Sequence, residues 1–266
     1  MDFYSIASGS SGNCIYIGSD KTSVLIDAGI SCKRITDALR QIGRTPRDLT
    51  AILVTHEHSD HISGLGVLSR KAHIPIYATA ATIRQIQRYQ PLGKVDEDLF
   101  HAIDADLPFT VGDLQIEAFH ISHDAADPVA YRVDSGGRSA AVATDMGCFS
   151  RYTLAHLRGL DTVLVESNHD ENMLQVGPYP YPLKRRILSE KGHLSNVSAG
   201  MLLSQILHDN MKKVYLGHLS KTNNYDELAY ATVMSELALD EQCPYKEGDI
   251  PVEVASRDHP MELLHF

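Results

Sequence analysis

Six consecutive positions in Thr55-His56-Glu57-His58-Ser59-Asp60-His61 carry four strong metal-ligating side chains: three imidazoles and the Asp60 carboxylate. Side chains alternate along an extended segment, so His56 and His58 point the same way. Both can reach one ion at the roughly 2.0–2.1 Å of a zinc–nitrogen bond. Asp60 and His61 follow after the chain turns and offer their donors in another direction. One ion cannot easily take all four from so tight a loop. Two ions about 3.5–4 Å apart can, and that spacing would hold a bridging hydroxide as nucleophile. Helix capping by Ser59 or Asp60 is compatible with ligation, but by itself it leaves three histidines unaccounted for. Glu57 and Ser59 are expected to point away.

Six neighbouring residues cannot close two coordination spheres, so the ligands still missing must come from elsewhere in the chain. Short strands are expected over DFYSIAS, CIYIGS and SVLIDAG, separated by glycine-serine and SDKT turns. Further strands are expected at AILVT, PIYA, LPFTV, LQIEAFHI, VAYRVDS, SAAVATD, TVLVE and KVYLG. Helices are expected over about 31–43, 61–72, 80–89, 150–158, 180–190, 195–209 and 224–239. Paired strands followed by strand–helix alternation occur twice, which suggests two similar halves in one domain spanning residues 1–266. Most of the notable polar residues fall just past the end of a strand: Asp27, His56, His123, Asp145, Glu166 and His218. His123 in ISHDAAD, Asp145 in ATDMG and His218 in YLGHLSKTNN are candidate partners for the first motif, with Asp145 a carboxylate able to bridge. Loops held by a rigid scaffold are where sites are usually built.

Composition sets limits. The 266 residues are 43% hydrophobic and 22% charged, ordinary for a globular chain with a sizeable core. There is no apolar run of about 18 residues, so no membrane span is expected, and the N-terminus lacks the pattern of a secretory signal. Four scattered cysteines without a CxxC pair fit reduced thiols in a cytoplasm. The net charge of −10 disfavours long-range attraction to nucleic acid but leaves room for a local basic groove. Lys184-Arg185-Arg186 with Lys191 stands out against that background. Histidine is in excess, at 14 copies.

HxHxDH followed by separate His, Asp and His motifs resembles the metallo-β-lactamase fold superfamily over nearly the whole chain. The resemblance implies a four-layer αββα sandwich. It implies that His56, His58 and His123 hold one divalent metal ion and that Asp60, His61 and His218 hold the other. Asp145 would bridge them, and Asp60 would also orient the hydroxide. Asp27 in LIDAG matches an aspartate that supports the metal loop without being a ligand. Zinc suits these donors best, although manganese or iron would accept the same set.

The superfamily hosts β-lactam, thioester, phosphodiester and redox chemistry, so fold alone does not choose the substrate. Glu166 in VESNHD with His193 in KGHLSN resembles the acid arrangement of the tRNase Z-like phosphodiesterases, in which a glutamate holds a histidine that protonates the leaving oxygen. A helix-cap neighbour beside Ser195 is the other reading of His193. Three stretches, GPYPYPLKRRILSEKGHLSN, GHLSKTNN and SNHDENML, closely resemble the YycJ/WalJ branch of the superfamily. That branch is associated with 5′–3′ exonuclease activity on double-stranded DNA. The resemblance places Lys184, Arg185 and Arg186 near the substrate channel, where cations would pair with phosphates; an ordinary helix surface is an equal reading. Ser10, Ser11 and Asn13 could line a phosphate pocket or simply form a hairpin turn. Asn168, His169, Ser220 and Asn223 complete the substrate-facing candidates. The expected function is a binuclear metal-dependent phosphodiesterase acting on nucleic acid, DNA favoured over RNA. An RNA-processing or small cyclic phosphodiesterase is the alternative, as is a β-lactam or thioester hydrolase. A metal-binding regulator without turnover is a further class.

Overall fold

Short apolar runs ended by Gly, Ser and Asp become the strands of two mixed sheets, and the amphipathic segments between them become helices. The computed structural model describes all residues, Met1–Phe266. The first strands are β1 (Asp2–Ala7), β2 (Cys14–Gly18), β3 (Ser23–Ile26), β4 (Ala51–Leu53), β5 (Ile76–Thr79) and β6 (Phe100–Ile103). Next come β7 (Phe109–Val111), β8 (Leu114–His120), β9 (Val129–Ser135), β10 (Arg138–Ala143), β11 (Thr162–Glu166), β12 (Lys213–Gly217), β13 (Val252–Val254) and β14 (Leu264–His265). The helices are α1 (Cys32–Gln41), α2 (Ser59–Ile62), α3 (Leu65–Ala72), α4 (Ala80–Arg88) and α5 (Arg151–Leu157), then α6 (Glu171–Val176), α7 (Tyr181–Ile187), α8 (Asn196–Leu203) and α9 (Asp226–Leu239). The two seven-stranded sheets run β14-β1-β2-β3-β4-β5-β6 and β13-β12-β11-β10-β9-β8-β7. Helices flank them, giving the expected α/β sandwich.

The chain divides into two compact units. The first comprises Met1–His120, Ala125–Arg138 and Ser256–Phe266, and the second Ile121–Asp124 and Ser139–Ala255. In the first unit, β3, β4 and β5 are parallel, with Ile26 opposite Leu53. Asp27 therefore leaves the sheet beside Val54 and Thr55. Leu25, Ile52 and Ile76 share one buried core with Ile35 and Leu39 of α1 and Leu65 and Leu68 of α3. Full burial of each such side chain contributes about 1.5–3 kcal/mol, which makes the ends of these strands a stiff base for a loop.

In the second unit, β10, β11 and β12 are parallel and apolar throughout their middles, as strands covered on both faces must be. Ala143 pairs with Val165, and Glu166 with Gly217. That register brings Asp145, Glu166 and His218 to the carboxyl ends of neighbouring strands, where open parallel sheets bind their ligands.

Several expectations are corrected by tertiary structure. The helix expected over 61–72 is split into α2 and α3 at Gly64, whose N–H donates to the Ala28 carbonyl at 2.8 Å. A Cβ there would lie 2.0 Å from the Ile30 carbonyl oxygen, so close backbone approach breaks the helix. The helix expected to reach 209 stops at Leu203. The four cysteines are free thiols, three of them buried. No helix is long and apolar enough to cross a membrane.

The same close approach fixes the histidine-rich loop. Asn13 donates its N–H to the Asp60 carbonyl, and Ala28 donates to that of His61, at 2.8 and 2.9 Å. A Cβ on Gly29 would fall 1.6 Å from the Asp60 carbonyl oxygen. Gly29→Ala is therefore expected to destabilise the fold by about 1–3 kcal/mol or more by displacing this loop. A denaturant midpoint equal to that of the parent protein would contradict this account.

Candidate metal centre

In the first unit, Asp27 is the anchor. Its Oδ1 accepts the Thr55 N–H at 2.9 Å, and its Oδ2 accepts the Thr55 hydroxyl at 2.8 Å and His61 Nδ1–H at 2.7 Å. Because the Thr55 hydroxyl spends its proton on Asp27, its oxygen accepts from His56 Nδ1 at 3.0 Å. With both Nδ1 atoms occupied, each ring keeps Nε2 as its lone-pair donor. The rings of His56 and His61 lie 4.1 Å apart, those of His56 and His58 4.6 Å apart, and Asp60 Oδ2 stands 3.5 Å from His61 Nε2. Glu57 is turned to the loop before β9, where Oε1 accepts the Ala126 N–H at 2.9 Å.

Removing the Asp27 charge tests this anchor. An asparagine side chain in its place would offer an N–H₂ where a donor already points. Asp27→Asn is thus expected to weaken metal affinity by about 10–100-fold, read by competition with a chromogenic chelator. An unchanged affinity would show that the His61 tautomer is held some other way.

In the second unit, Glu166 plays the corresponding part. Its Oε1 accepts from His193 Nδ1 at 2.8 Å and His218 Nδ1 at 2.9 Å, while Oε2 accepts the N–H groups of Met146 and Leu194 at 2.7 and 3.1 Å. His123 Nδ1 is held by the Gly192 carbonyl at 3.1 Å. Asp145 Oδ1 sits 3.7 Å from His123 Nε2, 3.6 Å from His218 Nε2 and 3.4 Å from His193 Nδ1. Asp145, Glu166, His193 and His218 place donor atoms within 4.8 Å of one another. Glu166 thus accepts four hydrogen bonds, two from imidazoles and two from the backbone. Burial works against its charge, yet the His193 and His218 imidazoles and their hydrogen bonds outweigh it and hold the carboxyl below the usual range. Burial likewise lowers the His193 pKa, but Glu166 and Asp145 outweigh it and leave the imidazole above its ordinary value.

These contacts answer whether the residues fit a divalent cation. His56, His61, His123 and His218 each have Nδ1 fixed by an oxygen atom, the arrangement that orients metal-binding imidazoles. Two buried carboxylates, Asp27 and Glu166, hold His61, His193 and His218 through their Nδ1 atoms. The donor set fits a divalent-metal site. Each unit's set by itself is incomplete: the first offers His56, His58, Asp60 and His61, the second His123, Asp145 and His218. Three of these residues, Asp27, Asp145 and His218, adopt left-handed backbone at φ 62°, 59° and 57°, a conformation that only five non-glycine residues of the chain share.

The other sequence candidates separate by environment. Ser10 and Ser11 are exposed on a turn closed by Gly12 N–H to the Gly9 carbonyl at 2.9 Å. Asn13 is buried and braces that turn, with Nδ2 3.2 Å from His61 Nε2, so it also braces the histidine-rich loop. Asn168 is a brace too, donating Nδ2–H to the His218 carbonyl at 2.8 Å. Ser220 Oγ caps its own turn by accepting from Asn223 N–H at 3.2 Å, and Asn223 is fully buried. Lys184 Nζ donates to the Gln175 carbonyl at 2.7 Å, and the Arg186 guanidinium forks onto Asp124, beside His123. Of the basic triplet, Arg185 alone makes no such contact. His169 is 1% exposed, and neither ring nitrogen has a hydrogen-bond partner. Burial pulls its pKa down to about 4, so it stays neutral near pH 7, with one N–H and one lone pair to offer.

Sequence reasoning missed Thr55, the hydroxyl through which Asp27 reaches His56. It also missed the buried Ser167–Asn196–Asn224 cluster, in which Asn224 Nδ2 donates to the carbonyls of Ser167 and Asn168 at 2.9 and 3.1 Å. The signal for Thr55 was its place between the last apolar residue of AILV and the first histidine.

Comparison with known proteins identifies the family. A family model described as the beta-lactamase superfamily domain matches residues 22–218, and the chain belongs to that superfamily. Within it, the chain is 46% identical over 236 residues to exodeoxyribonuclease WalJ of Streptococcus pneumoniae, covering 88% of each protein. It is 40% identical over 237 residues to exodeoxyribonuclease YycJ of Bacillus anthracis, covering 89% of each. The solved structure of the short form of human tRNase Z shares the fold, with a TM-score of 0.65 and 15% identity over 98% of this chain and 99% of that one.

Proposed function

We propose that this protein is a metal-dependent nuclease that hydrolyses phosphodiester bonds of DNA, as a 5′–3′ exonuclease on double-stranded substrate, and that both units act as one hydrolase domain. The observation that carries this reading is the Glu166 carboxylate, which holds His193 and His218 through the same oxygen. One imidazole so held suits a metal ligand. The other, on the partly exposed His193, suits a proton donor, which an acyl hydrolase of the superfamily does not need. The names of the WalJ and YycJ relatives support nucleic acid, and DNA in particular, as substrate.

In this reading the two incomplete sets close on two ions. His56, His58 and His123 would hold one, Asp60, His61 and His218 would hold the other, and Asp145 would be shared. Zinc suits the histidine-rich donors, and manganese or iron would accept them. Divalent ions held there would supply Lewis acidity to the reaction. Asp60 accepts a hydrogen bond from the attacking water and aims its lone pair at phosphorus. His193, its Nδ1–H held by Glu166, presents Nε2–H to the leaving oxygen and protonates it as the P–O bond breaks. Glu166 remains ionised and keeps the ring in place.

The test is a time course on end-labelled single- and double-stranded DNA and RNA with added Zn²⁺ or Mn²⁺. Progressive shortening of duplex DNA from its 5′ end is expected. Inactivity toward every nucleic acid, with hydrolysis of a thioester or β-lactam, would replace the nuclease reading by the acyl-hydrolase one.

A further inference from the structure

Helix α7 is unusual in that its outward stripe sets an aromatic ring and an aliphatic side chain on either side of an arginine. Tyr181, Arg185 and Leu188 are spaced i, i+4, i+7 and so share one face. Tyr181 is 72% exposed and Leu188, just past the helix end, 47%. Ile187 is buried on the opposite side. Arg185 is exposed between them with no ion pair or hydrogen bond. Val176, 86% exposed at the end of α6, adjoins this stripe, because Lys184 of α7 donates to the carbonyl of its neighbour Gln175. Cations near the end of a short helix complement its terminal carbonyls, which rationalises the charges of the basic triplet. That account leaves the exposed ring unexplained.

Three further features point to an occupant. Tyr181 stands between Pro180 and Pro182, whose fixed φ angles hold the ring's backbone without an ordering cost on binding. Residues 176–191 carry four cations against one carboxylate, Glu190, in a chain whose net charge is −10. The C-terminal end of α7 is tied to the proposed proton donor, since His193 N–H donates to the Ile187 carbonyl at 3.0 Å. Seven residues of helix span about 10 Å, so Tyr181 lies one short helix length from His193. A stacked strand rises about 3.4 Å per nucleotide, which makes that length about three nucleotides.

We propose that Tyr181, Arg185 and Leu188 form a stacking subsite for unpaired bases of the substrate strand, within about three nucleotides of the cleaved bond. Tyr181 takes the face of a base, Arg185 pairs with the backbone phosphate beside it, and Leu188 packs against the intervening sugar. A base can lie on the ring only when it has left its partner, so the subsite favours a locally opened duplex end. This inference rests on the nuclease reading and adds to it the state in which the strand is held.

The experiment compares the metal-loaded parent protein with Tyr181→Ala and Tyr181→Phe. Binding of a single-stranded DNA oligonucleotide and cleavage of DNA and of bis-p-nitrophenyl phosphate are measured. Tyr181→Ala should weaken oligonucleotide binding by about 5–100-fold, raise KM on DNA, and leave the small phosphodiester unaffected. Tyr181→Phe should behave like the parent, because stacking needs the ring and not the hydroxyl. 2-Aminopurine placed one to four nucleotides from the cleaved bond should be quenched by the parent and by Tyr181→Phe, and released in Tyr181→Ala. Equal binding and equal KM in parent and Tyr181→Ala would overturn the proposal. So would Tyr181→Ala changing only self-association of the protein. A parent protein that leaves all nucleic acids intact would instead indict the nuclease reading itself.

Discussion

Replacing His193 by alanine is expected to slow DNA cleavage by about 10²–10⁴-fold while both metal equivalents stay bound. The separation follows from how Glu166 divides its hydrogen bonds. Loss of the His193 ring removes one of the two imidazoles on Oε1, but His218 Nδ1 and the N–H groups of Met146 and Leu194 remain to hold the carboxylate. His218 therefore keeps its orientation. The deficit should depend on the leaving group. p-Nitrophenolate departs without a proton, so bis-p-nitrophenyl phosphate should lose far less rate than DNA. Full DNA cleavage by metal-replete His193→Ala protein, or equal losses on both substrates, would remove His193 from the role of acid.

Asp145→Ala should do more, abolishing metal retention and activity together. Its Oδ1 stands within 3.7 Å of His123 and His218, two imidazoles proposed to ligate different ions. Glu166 is committed to four donors, and Asp124, 3.5 Å from His123 Nε2, is held by the Arg186 guanidinium. A loss of about 10³-fold or more in turnover is expected, with metal content falling in parallel. Elemental analysis after exhaustive dialysis, beside the rate on DNA, gives both readouts. An Asp145→Ala protein that keeps two equivalents of metal would mean that the bridge lies elsewhere.

How much of this was legible beforehand differs from residue to residue. His56, His58, Asp60 and His61 are local, and their spacing spoke for itself. Asp145 and His218 were visible because each follows an apolar strand, and strand ends share an edge. Gly64, in contrast, reads as a helix interior, and only the Ala28 and Ile30 carbonyls pressed against it explain why α2 and α3 are separate. The Asp124–Arg186 pair joins residues 62 positions apart, and no local pattern foretells it. Glu166 was identified as a partner of His193, but its simultaneous hold on His218 depends on the β11–β12 register that sets Glu166 opposite Gly217. Edge strands β13 and β14 escaped notice because three and two residues carry too little alternation to read.

Asp27, Asp145 and His218 each sit in a left-handed backbone conformation that a side chain disfavours by roughly 1–2 kcal/mol. Glycine would relax the chain at every one of these places and delete an anchor, a proposed bridge or a proposed ligand in the same stroke. Selection for thermal robustness alone would therefore drift toward an inert protein at these three codons. A lineage released from its catalytic duty should betray that release here first.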